Sequence, residues 1–93
     1  MSKIAVENVN VPDQVTNVDR AKYMAMHDAM MTVMSTTPMT AKAIKDAVKP
    51  HLPDDLFPAG ATSGWWAKTV QLDLEAKGKL TRHATKPLTW SKP

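Results

Sequence analysis

The stretch TSGWWAKTVQLDLEAKGKLTR, residues 62–82, decides the fold. Its middle has the three- and four-residue apolar spacing of an amphipathic helix. Ser63 is the expected N-cap of this helix, and Gly78 is the expected left-handed residue at its C-terminal end. A predicted strand then begins with the apolar residue Leu80 and the basic residue Arg82. The stretch therefore predicts a helix that passes almost directly into a β-strand.

The two adjacent tryptophans of this stretch fall at different depths on the predicted helix. At about 100° per residue, Trp66, Val70 and Leu74 form one i, i+4, i+8 ridge, which belongs in the core. Trp65 lies nearer the edge of the apolar arc, and Leu72 lies near the same edge. The polar, exposed face of the helix is predicted to carry Lys68, Gln71 and Glu75. Trp65 is therefore expected either to pack against the loop before the helix or to contact a partner.

Two further helices are predicted before this stretch. The first lies within residues 16–36, where Thr16, Asn17 and Asp19 are alternative N-caps. Its apolar face is rich in methionine, which favours core packing over an adaptable groove for a partner. The second helix has Thr40 as its N-cap, and it ends at the next proline, because proline disfavours helix in the residue before it.

Shorter elements are predicted on both sides of the helices. The segment KIAVENVNVP, residues 3–12, changes the parity of its apolar residues, which predicts a short strand or an ordered arm within residues 1–15. Residues 50–62 contain three prolines and form a long loop from which Phe57 reaches the core. The segments KLTRH and LTWSK, joined by ATKP, predict a C-terminal β-hairpin.

Three helices followed by a hairpin form a pattern that resembles the winged helix-turn-helix superfamily. The sharpest match is VQLDLEAKGKLTR, residues 70–82, which resembles the end of a recognition helix and the start of a wing; MTAKAIKDAV resembles the second helix. Through ENVNVP and HLPDDLFP, the chain is also similar to a small bacterial family of winged-helix-like proteins of unknown function. The resemblance implies an α+β winged-helix domain over residues 16–93, after a short N-terminal arm over residues 1–15.

The charge distribution along the chain is uneven. The net charge is +3, but residues 76–93 carry +5 with no acid, and residues 50–75 carry −3. A basic end suits an anionic partner, although a solvated tail would have the same composition. Together with the winged-helix resemblance, this predicts a transcriptional regulator that binds double-stranded DNA. The residues expected to approach its bases or phosphates are Lys68, Gln71, Lys79, Arg82, His83 and Lys86.

The alternative is a protein-interaction or assembly module that uses the same fold without DNA. Thirteen residues separate Lys49 from Ser63, whereas about three or four residues join the two helices of a DNA-reading pair. In the alternative, the contact surface contains Phe57, Trp65 and Leu72. The N-terminal arm would then add to a sheet edge of a second copy and form a homodimer.

Several classes of function lack a motif in this sequence. There is no cysteine, which excludes a disulfide framework, a thiol nucleophile and cysteine-based zinc sites. The glycines form no phosphate-binding loop, and the histidines lack a metal-ligand spacing. We expect no enzyme activity, cofactor, metal or small-molecule substrate. No run approaches the roughly 20 apolar residues of a membrane span, and no secretory signal is evident, so we expect a cytoplasmic protein without a membrane partner.

Overall fold

The computed structural model describes residues 3–93, apart from the side chain of Pro12. The described part of the chain folds into three α-helices and five strands, which confirms the α+β class. The helices are α1 (Arg20–Val33), α2 (Ala41–Val48) and α3 (Ser63–Ala76). The strands are β1 (Lys3–Asn8), β2 (Val11–Asp19), β3 (Met39–Thr40), β4 (Thr81–His83) and β5 (Thr89–Ser91).

The helix ends follow the capping residues of the sequence, with one shift. The Asp19 side chain accepts a hydrogen bond from the backbone of Lys22 at 3.0 Å and caps α1. The Thr40 hydroxyl caps α2 in the same way, at 3.1 Å from the nitrogen of Ala43. The predicted Ser63 cap is wrong by one residue, because Thr62 is the N-cap of α3 and makes no side-chain capping hydrogen bond.

The C-terminal hairpin of β4 and β5 is confirmed, and it belongs to a sheet of three antiparallel strands in the order β3-β5-β4. Trp90 on the central strand pairs with Arg82 on one side and with Met39 on the other. Strand β3 was not predicted, because its two residues carry no alternating pattern of their own. Gly78, with a φ of 73°, takes the predicted left-handed conformation between α3 and this sheet.

The N-terminal segment is a hairpin of β1 and β2 rather than a single short strand. The predicted strand is confirmed for β1. Strand β2 was not predicted, because its polar sequence offers helix caps and no regular alternation; it crosses the expected boundary between residues 15 and 16. The hairpin packs on α3 and sends Val6 and Val18 into the core. The first two residues of the predicted arm lie outside the described residues.

The core lies where the three helices meet, and both small sheets close it. The predicted ridge of Trp66, Val70 and Leu74 is buried, as are Met26 and Met30 of α1. Phe57 reaches back from the loop after α2 and packs edge-on against Trp66, with 6.4 Å between ring centroids. Among the described residues, no helix is long and apolar enough to cross a membrane.

Candidate functional site: a basic groove beside the third helix

A groove of about 660 Å³ lies between α2, α3, the C-terminal sheet and the turn that joins β1 to β2. Apolar side chains such as Ile44 and Leu72 line its interior. Four cations also line it, and among the described residues no Asp or Glu does; we call this site the basic groove. Its volume is in the range of ligand-binding clefts. The four cations are Lys42, Lys45, Lys68 and Arg82.

Two of these cations have no ion pair within the described part of the chain, namely Lys45 and Lys68. The Lys45 side chain lies across the start of α3, since its Cε would be 3.5 Å from a Cβ added at Gly64. The N-terminal end of a helix carries a partial positive charge, and here the N-cap Thr62 adds no side-chain acceptor. The start of α3 and the two lysines therefore favour an anion at the same place.

The other two cations are paired. On the exposed surface of α2, Lys42 Nζ lies 3.0 Å from Asp46 Oδ2, and this hydrogen bond lowers the pKa of the Asp46 carboxyl. Arg82 donates to Glu75 through Nε at 2.8 Å and through Nη2 at 3.1 Å, which raises the pKa of its guanidinium. The Arg82 guanidinium also lies over the ring of Trp90, 5.7 Å from the ring centroid.

Glu75 is turned away from solvent, contrary to its predicted place on the polar face of α3. Its side chain is 4% exposed. Besides the two bonds from Arg82, it accepts a hydrogen bond from the indole nitrogen of Trp90 at 2.6 Å. The carboxylate is therefore paired inside the protein, which reduces its repulsion of an anion in the basic groove.

Gln71 lies at the base of the basic groove, and its predicted exposure is wrong, because only 7% of the residue is accessible. The helical angle placed it correctly beside Lys68 but could not indicate that other elements cover that side. Across the described residues, the Gln71 amide makes no hydrogen bond, and no fully enclosed side-chain nitrogen or oxygen lacks a partner. The amide therefore reaches open space, which at this position is the basic groove.

Only part of the predicted nucleic-acid set converges on the basic groove. Lys68, Gln71 and Arg82 line it, whereas the other three predicted residues do not. Lys79 is exposed after the end of α3, and Lys86 is exposed in the turn between β4 and β5. The Nε2 atom of the third, His83, lies 2.8 Å from the hydroxyl oxygen of Ser91 in the C-terminal sheet. Lys42 and Lys45 complete the groove and were not predicted, because charges on α2 look like an ordinary solvated face.

The predicted protein-interaction residues separate in the structure. Phe57 is 1% exposed, so its prediction as a contact residue is wrong; it fills the core against Trp66. Trp65 is 56% exposed, and its ring meets that of Trp66 edge-on at a centroid distance of 4.9 Å. Together with Leu72 it borders a second cleft, of about 170 Å³, between the N-terminal hairpin and α3. We call this second site the hairpin cleft.

Asp73 is the polar residue that sequence reasoning missed. It is fully buried and accepts hydrogen bonds from the backbone nitrogen of Glu7 at 2.8 Å, from Lys77 Nζ at 2.9 Å and from the Tyr23 hydroxyl. Burial, followed by this hydrogen bond, raises the pKa of the Tyr23 hydroxyl. The signal was present in the sequence: at about 100° per residue, Asp73 projects beside Trp66, in the middle of the apolar arc.

The fold and the site together define an α+β domain with a basic groove beside its last helix. Over residues 3–90 the chain matches the model of a family described as "Family of unknown function (DUF6958)", and it belongs to that family. No curated protein matches the chain, and no solved structure does. Within the described residues, no group of three or more His, Asp or Glu could hold a metal ion.

Proposed function

We propose that this protein binds nucleic acid through the basic groove. The main observation behind the proposal is the positive charge of the groove lining. Four cations line the groove, and no acidic residue does so among the described residues. Neutralised phosphates supply much of the affinity of a protein for nucleic acid. Lys45 and Lys68 lack ion pairs with described residues, so their charges are available to phosphates without loss of an internal contact.

The arrangement of the elements supports the same proposal. Three helices and a C-terminal sheet follow the order of a winged helix-turn-helix domain, with α3 as the recognition helix and β4–β5 as the wing. A small DNA-binding regulator is the form of the proposal that this resemblance implies. Three acids of residues 50–75 do not oppose the proposal: Glu75 is paired with Arg82, and neither Asp54 nor Asp55 lines the basic groove.

Salt dependence tests the proposal. Fluorescence anisotropy with labelled single-stranded and double-stranded DNA gives the affinity at a series of salt concentrations. Replacing both Lys45 and Lys68 with Gln should reduce the slope of log K against log salt by about 1.4 for a single strand or about 1.8 for a duplex. The matched control replaces Lys3 and Lys22, which carry the same charge but do not line the groove.

Two outcomes would contradict nucleic-acid binding through the basic groove. In the first, neither DNA form binds at low salt. In the second, the control pair reduces the slope as much as the groove pair does, which would mean that net charge alone attracts DNA. A slope that falls only for Lys45→Gln/Lys68→Gln supports the basic groove as the contact surface.

A second candidate function, self-association through the hairpin cleft, is favoured by the exposure of Trp65. Tryptophan is enriched among the residues that dominate protein interfaces, and this ring is 56% exposed. The N-terminal hairpin is a sheet of only two strands within the described residues, so each strand keeps an unpaired edge. A second copy could pair with such an edge while it covers Trp65.

Sedimentation velocity over a range of protein concentrations tests self-association. Trp65→Ser should shift a concentration-dependent dimer toward monomer, whereas Met24→Ser, a change at an exposed apolar residue of α1, should not. Deletion of the N-terminal segment is a poor test, because it removes the core residue Val6 and the Glu7 nitrogen that binds Asp73. A wild-type protein that is monomeric at all concentrations would contradict this candidate.

A further inference from the structure

We propose that the ligand of the basic groove is an unpaired nucleotide of a single-stranded nucleic acid, not the edge of a duplex. This inference rests on the proposed function and specifies the form of nucleic acid. The basic groove would take the base against its apolar interior and the neighbouring phosphates against its free lysines. The geometry of Gln71, Arg82 and Lys45 points to this form.

Gln71 lies too deep in the basic groove to reach the base edges of a duplex. A duplex presents its base edges at the bottom of a major groove about 8.5 Å deep, so a side chain must protrude to read them. Gln71 is 7% exposed and lies at the base of a concave site. Asn10, from the turn between β1 and β2, and Leu88, beside β5, also border this site. A ligand must therefore enter the basic groove to reach the amide, as an unpaired base can.

The Gln71 amide supplies hydrogen-bonding groups at the bottom of the basic groove. The Gln71 amide offers a donor and an acceptor side by side, which complements the edge of a nucleobase. An unsatisfied polar group in a largely buried position is unfavourable unless a ligand or water completes its hydrogen bonds. Its nearly complete burial, without a partner among the described residues, marks Gln71 as a ligand contact rather than a structural one.

The Arg82 guanidinium is held in place by its two hydrogen bonds to Glu75 and by the ring of Trp90. Flipped-out bases of single strands stack on aromatic rings and on guanidinium planes. Because Arg82 lines the basic groove and its guanidinium is fixed, it offers a rigid platform for a base that contacts Gln71. The two residues would thus hold one base by its edge and by its face.

Two lysines of the basic groove lie where the phosphates beside a bound base would be. Lys45 lies across Gly64 at the start of α3, and Lys68 lies one helical turn further along the same groove. The positive end of a helix binds phosphate groups through backbone N–H groups and its dipole. The phosphates on either side of the bound base would lie against these cations, while the apolar interior excludes water from the base.

A comparison of four ligands tests the inference: a deoxyadenosine strand of about ten nucleotides, its duplex, an abasic strand of equal length and adenosine monophosphate. The wild type should bind the single strand about tenfold more tightly than the duplex or the abasic strand. Gln71→Leu should weaken binding of the single strand about tenfold and leave duplex binding unchanged. Gln14→Leu, at an exposed residue of β2 that borders the hairpin cleft and not the basic groove, is the matched control and should change neither.

The outcomes separate this inference from the proposed function. If single strand and duplex bind equally and Gln71→Leu changes neither, but Lys45→Gln/Lys68→Gln weakens both, the unpaired nucleotide is wrong and nucleic-acid binding stands. If no nucleic acid binds, both fail. Adenosine monophosphate that binds more tightly than the strand would contradict a strand as the ligand and assign the basic groove to free nucleotides. Circular dichroism of Gln71→Leu should match the wild type; a variant that is unfolded is replaced by Gln71→Met for the same comparison.

Discussion

The two buried polar residues near the middle of α3 have opposite surroundings, although only two positions separate them. Asp73 is enclosed and bound by groups from β1, from α1 and from Lys77 directly after α3. Gln71, on the other side of the same helix, faces the basic groove and has no hydrogen-bond partner among the described residues. The first arrangement ties the N-terminal hairpin to the helices, whereas the second leaves hydrogen-bonding capacity for something outside the chain.

This difference suggests how structural and binding residues can be separated when no activity is known. A buried polar group costs free energy unless it is paired, so a group paired inside the chain contributes to stability. A nearly buried group that stays unpaired, in an accessible groove with free cations, is a candidate for ligand contact. Replacement of a paired group such as Asp73 should therefore destabilise the fold far more than replacement of the unpaired Gln71.

The largest loss of stability is expected for Asp73→Ala. The change leaves the Tyr23 hydroxyl and the Glu7 nitrogen without their acceptor and removes the partner of Lys77, so unfolding should become easier by about 3 kcal/mol. Urea unfolding measures this difference. Asp46→Ala removes a carboxylate from an exposed ion pair on α2 and should leave the unfolding midpoint unchanged. An equal midpoint for Asp73→Ala and the wild type would show that the buried carboxylate is not structural.

Glu75→Gln should have the next largest effect. The change removes the charge that holds Arg82 but keeps one acceptor for the Trp90 indole, so the expected loss is about 2 kcal/mol. Glu7→Gln is the matched control, since Glu7 makes no ion pair with any described residue. Unfolding followed by tryptophan fluorescence measures both. Equal, negligible changes for the two variants would contradict the structural role of the buried Glu75 carboxylate.

Tyr23→Phe should lower the unfolding free energy by about 1.5 kcal/mol at neutral pH, because Asp73 loses one of its three donors. The variant should also alter the pH dependence. The folded protein raises the pKa of Tyr23 above its ordinary value of 10.0. The stability from this group is therefore complete below pH 10 and falls as pH rises further, because the unfolded chain loses the proton first.

Chemical unfolding of both proteins between neutral pH and the alkaline range measures this difference. The wild type should lose stability more steeply than Tyr23→Phe above the ordinary tyrosine pKa, and lysine titration is common to both chains. Parallel pH profiles for the two proteins would mean that burial and the hydrogen bond to Asp73 do not raise the pKa of the Tyr23 hydroxyl.

Gln71→Leu should have the smallest effect on stability, although its position is as buried as many core residues. The amide has no partner to lose among the described residues, so the unfolding free energy should change by less than about 0.5 kcal/mol. Thermal or urea unfolding measures this change. A loss as large as that of Asp73→Ala would mean that Gln71 is a structural residue and would remove the contrast between the two sides of α3.

Local patterns predicted most of the fold. Helices begin at the N-caps Asp19 and Thr40, and Gly78 takes the left-handed conformation after the end of α3. The ridge that contains Trp66 is buried. The strands that escaped prediction depend on partners distant in sequence. Strand β3 has meaning only beside Trp90, and β2 carries few apolar residues and is defined by its pairing with β1.

The site was less predictable, because a helical angle gives direction but not depth. It placed Lys68, Gln71 and Glu75 on one side of α3, yet the elements packed there cover Gln71 and enclose the Glu75 side chain. Asp73 projects with the core residues, and this direction is what distinguishes it in sequence from an ordinary surface charge. The contribution of Lys45 depends on how α2 packs across the start of α3, which no spacing within α2 contains.

The basic groove as a nucleic-acid site is tested most directly by nuclear magnetic resonance, with a ¹⁵N-labelled sample titrated with a short deoxyadenosine strand. Binding in the basic groove should shift most strongly the backbone amides of Gly64 and Ala67, the side-chain amide of Gln71 and the Trp90 indole. Unchanged signals at those positions, with shifts at Trp65 or Lys86 instead, would contradict it.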